Sequence, residues 1–173
     1  ATNTIYFRAN TYREDVDDNK MLDSISIYTS DNVFIRKFIF EYSYYLSQKF
    51  MSQNKFLNYY SYNLKRLRLD KLTEYYDNYN KKPPYQFVYD ETILPPKGSY
   101  AQDHWGYYNG QYSNKNPIPA FVFLDKEYEG ANREVDTQKC QAGILTALVN
   151  PMGGMAVFSF ESNDFGHVPL GFI

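Results

Sequence analysis

The hydrophobic and polar positions of this chain alternate with period two in two places. Phe38, Phe40 and Tyr42 alternate with Lys37, Ile39 and Glu41, and Tyr85, Phe87 and Tyr89 alternate with Gln86, Val88 and Asp90. Alternation over five or more residues predicts a half-buried β-strand. Upstream of each run lies another strand-like segment, starting at Leu22 and at Leu69, with turn formers between: Ser30-Asp31-Asn32 in one, Asp77-Asn78-Tyr79-Asn80 in the other. Each segment pair predicts a β-hairpin.

The two hairpins are copies of one unit. "LDSISIYTSDNVFIRKFIFEY" from Leu22 and "LDKLTEYYDNYNKKPPYQFVY" from Leu69 align without gaps, forty-seven residues apart. Leu22, Ile25 and Tyr28 match Leu69, Leu72 and Tyr75, and Phe38, Phe40 and Tyr42 match Tyr85, Phe87 and Tyr89. A looser third copy, "LTALVNPMGGMAVFSFE", starts at Leu145. It turns at Gly153-Gly154 and ends on Phe158 and Phe160. The predicted units span about 22–42, 69–89 and 145–160 of a single β-rich domain, 1–173. The expected fold class is mainly β, with antiparallel hairpin repeats in one or two sheets and little helix.

The other segments are less regular. Asn3–Arg8 reads as a leading strand, Asp15–Asn19 as an acidic turn, and Pro119–Leu124 as a short strand. Phe38 to Phe56 continues as either a helix or a strand extension. "NKFLNYYSYNLKRLRLDKL" reads as strand, and Asn132–Gln141 as a helical turn or short helix. Pro95-Pro96 and Lys97-Gly98 break the chain and open a long connection, 95–118.

Composition supports β structure and narrows the partners. The chain has 19 Tyr and 13 Phe, and aromatic residues favour strands. Its net charge is −2, with no clustered basic stretch, so no nucleic-acid partner is expected. No apolar run is long enough to cross a membrane as a helix. The single cysteine, Cys140, excludes an internal disulfide. There is no signal peptide, and a start at Ala1 rather than Met is that of a trimmed or mature product, which leaves export open.

Several residues invite chemical readings. A nucleophile needs a base in reach, and Cys140 with His104 or His167 forms a conceivable dyad, the basis of a weaker hydrolase alternative. Cys140 has no glycine-rich turn before it and reads more simply as a small packed residue. Asp103 and His104 with His167 form a thin metal set with no ligand spacing, so neither metal nor cofactor is expected. Glu127, Glu129, Glu134 and Asp136 are the carboxylates on which a glycosidase pair would draw, but they lie in a polar run that reads as solvated surface.

The segment "SYAQDHWGYYNGQY", Ser99–Tyr112, is the strongest site candidate. Trp105, Tyr107, Tyr108 and Tyr112 stand among Gly106, Asn109 and Gly110, with Asp103 and His104 beside them. Flat aromatic faces near polar groups suit a carbohydrate or peptide. The competing reading makes Asp103 and His104 pins for the connection and buries Trp105 against the sheet, since a lone Trp is usually well buried.

The hairpins, "LPPKGSYAQDHWGYYNG" and "GANREVDTQKCQAGILTALVNPMGG" together resemble segments of large bacterial surface proteins of the RHS/YD-repeat kind. The resemblance runs from about Leu22 to Glu161 and is most specific over Ala101–Gly110 and Gly130–Gly154. It implies a structural, non-catalytic, secreted or surface-attached building block, extracellular or on the bacterial cell surface. In such proteins hairpins stack into extended sheets or shells. The implied partners are adjacent hairpin repeats of a parent protein, or a second copy through sheet edges. This chain departs from the pattern in its shortness, which implies a fragment or remnant unable to close a shell alone.

Overall fold

The computed structural model describes residues 2–54 and 60–163. Among them, nine strands form: β1 Thr4–Arg8, β2 Ser24–Tyr28, β3 Phe34–Leu46, β4 Lys65–Tyr75, β5 Tyr85–Tyr89, β6 Phe121–Phe123, β7 Lys126–Tyr128, β8 Leu145–Val149 and β9 Met155–Val157. Among the described residues helical structure is confined to three 3-10 turns, at Lys49–Met51, Ser61–Leu64 and Lys139–Gln141. The fold is mainly β, as the alternation predicts.

Seven strands build one antiparallel sheet in the order β1-β2-β3-β4-β5-β8-β9, which is their order along the chain. The three predicted hairpins are β2–β3, β4–β5 and β8–β9. The repeat has a physical signature. The Tyr42 hydroxyl donates to the Leu22 carbonyl at 3.0 Å, and the Tyr89 hydroxyl donates to the Leu69 carbonyl at 2.8 Å. The same latch thus closes both copies between matched residues. The third copy ends in Phe158 and Phe160, which have no hydroxyl to donate.

The latch matters most in the second hairpin. There β4 and β5 share only the pairs Lys71↔Gln86 and Leu72↔Tyr85. By contrast β3 and β4 pair from Lys37↔Tyr75 to Leu46↔Lys65, with one register shift after Glu41. Phe40 and Tyr42 still stack on one face, their ring centroids 6.4 Å apart.

The helical expectations change. Past Tyr42 the chain continues as strand to Leu46, and only Lys49–Met51 turns. Within the stretch read as strand before Leu69, Lys55–Tyr59 lie outside the described residues, Ser61–Leu64 form a 3-10 turn, and β4 begins at Lys65. Of Asn132–Gln141 only Lys139–Gln141 is helical. The carbonyls of Asn132 and Glu134, which a helix would use internally, accept side-chain amides instead. Strand β7 was not expected. It pairs with β6 across Leu124 and Asp125, both at positive φ, 48° and 57°. A two-residue turn of that hand usually carries Asn or Gly, so Leu124 hid it.

The core is small. Met51, Ala101 and Tyr108 form its buried apolar cluster, with Leu94 and Ala142 packed against it. β1 and β9, at the two edges, are exposed along their whole length. The accessible surface is 12458 Å², against about 8,800 Å² for a compact monomer of 20.4 kDa.

Candidate functional site

The 99–112 connection is held by short polar side chains. The carboxylate of Asp103, 1% exposed, accepts the backbone N–H of Trp105 and of Tyr107, each at 2.9 Å. The Asp103 N–H donates to the Tyr107 carbonyl at 2.8 Å, and Gly106 turns between them at φ 93°. Arg133 closes the other side: its Nε and Nη2 donate to the Asp103 carbonyl and its Nη1 to the Pro117 carbonyl.

Two buried asparagines continue the frame. Asn109 Nδ2 donates to the carbonyls of Asn132 and Glu134, and its Oδ1 accepts from the Gln111 N–H. Asn114 Nδ2 donates to the carbonyls of Tyr100 and Asn132, and its Oδ1 accepts from the Asn132 N–H. Asp or Asn accepting from the N–H two residues on recurs at Asp103, Asn109, Asn116, Asn132 and Asp136. Each such turn replaces helix or sheet pairing locally, which explains a long ordered connection without regular periodicity. Gly130 is required where this frame closes, because a Cβ there would sit 2.2 Å from Ala120 N and Pro119 C.

The predicted site residues therefore separate into two groups. Asp103 and Tyr108 point inward and are buried. His104, Trp105, Tyr107 and Tyr112 are exposed. Trp105 is 40% exposed, a correction to the reading that buries it. Locally, the Asp103 carboxylate holds the turn through the Trp105 and Tyr107 N–H groups. Tyr108 takes the buried aromatic place, and burial raises its hydroxyl pKa. Tyr112 meets Phe50 edge to face at 5.9 Å. Beside the exposed tip lies a hollow of about 320 Å³, lined among others by Tyr107, Tyr108, Gln102, Pro95, Arg66 and Cys140. Arg66 is committed to the frame, donating to the Pro95 carbonyl at 2.7 Å and the Ser47 hydroxyl at 3.1 Å.

The catalytic readings find little in this geometry. The Cys140 thiol donates to the Thr137 carbonyl. Burial first, and then Asp103 and Asp136, raise its pKa, which is opposite to the shift a nucleophilic thiolate needs. His167 lies outside the described residues, and so do the dyad and metal set that would use it. Among the described residues no group of three or more His, Cys, Asp or Glu side chains could hold a metal ion. Glu127, Glu129 and Glu134 are exposed. Asp136 caps the last 3-10 turn, accepting from the N–H of Gln138 and Lys139.

A second polar centre escaped the sequence reading. Asp15, in the segment read as an acidic turn, is 4% exposed. Its carboxylate takes two bonds from Arg13, at 2.9 and 2.8 Å, the Leu67 N–H at 3.2 Å and Lys97 Nζ at 3.2 Å. Arg13 above all, then the Leu67 and Lys97 contacts, holds this carboxyl far below the usual carboxylate range despite its burial. The only advance signal was Arg13 two residues away. No protein-family model, curated protein or solved structure matches the chain.

Proposed function

We propose that this chain is a structural, non-catalytic module of β-hairpin repeats in a bacterial surface or secreted protein of the RHS/YD-repeat-like kind. The observation that carries the reading is a sheet whose strands follow chain order and which, among the described residues, ends in two bare edges, β1 and β9. Bare edges offer unpaired N–H and C=O groups to a further strand. Where neighbouring hairpins are missing, a second copy takes their place. Sedimentation of the 173-residue chain should show self-association that rises with concentration, and Ile5→Pro combined with Ala156→Pro should abolish it. A chain that stays monomeric throughout would refute the edge role.

A second reading has one specific observation in its favour: Trp105 and Tyr107 project from a frame rigidly held by Asp103. Such a surface suits a glycan or peptide. Titration with glycans should then shift Trp105 fluorescence, and Tyr107→Ala should weaken the response. An unresponsive Trp105 across a glycan panel argues against it.

A further inference from the structure

The sheet has a larger concavity, lined by no residue of the 99–112 connection, with a volume of about 930 Å³. Its origin lies in the sequence of β2. On one face β2 carries Ser24, Ser26 and Tyr28, and on the other Ile25 and Ile27. The small serines leave a trough where larger residues flank them. Register places Tyr6 and Arg8 of β1 on one side, opposite Ser26 and Ser24. It places Lys37 and Ile39 of β3 on the other side, with Tyr75 of β4 beyond.

Three features define what fits. An aromatic row crosses three strands: Tyr6 meets Tyr28 at 5.6 Å, and Tyr28 meets Phe34 at 5.7 Å, both edge to face. Arg8 and half-buried Lys37 supply positive charge and form no ion pair among the described residues. Two carboxylates stand close by, Asp77 in the lining of the trough and Asp23 within the field of Arg8, so Lys37 is the less compensated of the two cations. Asp77 accepts from the N–H groups of Tyr79 and Asn80 and from Asn80 Nδ2, and Asp23 accepts from those of Asn10 and Thr11. The rim adds the amides of Asn10, Asn32 and Asn78.

We propose that this trough binds an acidic saccharide, a short run of uronate-type sugars. A sugar ring stacks on exposed Tyr6 at the end of the aromatic row, a carboxylate meets Arg8 and Lys37, and ring hydroxyls meet Ser26 and the rim amides. A partly buried ammonium without a counter-ion gains most from an anion brought to it. An acidic peptide is less well matched to the floor, which is made of side chains; the unpaired backbone that an extended peptide uses lies along the outer edge of β1 instead.

The test is calorimetric titration of the 173-residue chain with oligogalacturonate, with a malto-oligosaccharide of equal length and with poly-glutamate. Oligogalacturonate should bind, more weakly as salt rises, and the neutral sugar should not. Arg8→Gln with Lys37→Gln should weaken binding about ten-fold or more. Tyr6→Leu should weaken it several-fold, and Trp105→Ala should leave it unchanged. Circular dichroism checks that each variant is folded, and the charge variants suffice if Tyr6→Leu is not. Poly-glutamate binding as tightly as the sugar, charge variants binding like the parent, or loss of binding in Trp105→Ala would each overturn the proposal.

Discussion

The 95–118 connection and the β1–β3 end of the sheet are stabilised in opposite ways. The connection has almost no regular structure, yet Asp103, Asn109 and Asn114 are buried in it and each holds several backbone groups by hydrogen bonds. The sheet end is regular, yet its large apolar side chains Ile5 and Phe7 stand exposed. Regularity and burial are therefore separate properties here. Buried amides, which cost free energy unless paired, fix the irregular part. Ladder hydrogen bonds fix the regular part and leave its faces open to other molecules.

Asp15 joins the two regions and gives the sharpest way to break the comparison. It links the 13–15 segment to β4 through the Leu67 N–H and to the start of the connection through Lys97. Asp15→Ala should lower unfolding free energy by about 3 kcal/mol in urea titration, because it strands partly buried cations. The same residue predicts an acid limit. Its folded pKa lies below its unfolded value of about 4, so its contribution is complete above that value and is lost as pH falls further. Thermal melts between pH 6 and pH 2 should show the onset of that loss in the parent and a smaller one in Asp15→Asn.

Next in size is the amide frame. Asn109→Ala leaves the Glu134 carbonyl without its donor, takes one of two side-chain donors from the Asn132 carbonyl, and should cost about 2 kcal/mol. The sheet latches come third. Tyr42→Phe and Tyr89→Phe should each cost about 1 kcal/mol, the loss of one hydrogen bond. Similar values would mark them as equivalent parts of one repeat, and a larger cost at Tyr89 would reflect the two-pair junction it supports. Smallest is Trp105→Ala, expected to change stability by less than about 0.5 kcal/mol. A loss above 2 kcal/mol would show the indole to be an anchor after all.

The hairpins were legible because strand alternation and turn residues agree, as at Phe38–Tyr42 with Ser30–Asn32 before it. The forty-seven-residue spacing even identified the two latch tyrosines as equivalent before their hydroxyls could be seen. The connection was legible only as a long break. Its order depends on pairs such as Asn114 with Asn132 and Asp103 with Arg133, distant in sequence and without period. Trp105 was misread because burial statistics describe residue types, whereas Asp103 had already filled the anchoring role. The trough has no signal in the sequence: Ser24 and Ser26 simply alternate with Ile25 and Ile27, and only the neighbouring strands make the serine side concave.

Strand order has a kinetic consequence. Through β5, every sheet neighbour is also the next strand along the chain, so each pairing closes a comparatively local loop. Residues 90–144 intervene before β8 can dock on β5, and that closure carries the larger entropic cost. A chain emerging from its N-terminal end can therefore assemble the β1–β5 meander before the last hairpin exists. Until β8 arrives, β5 is the growing edge, and its alternating Tyr85, Phe87 and Tyr89 wait there as a template for the next strand.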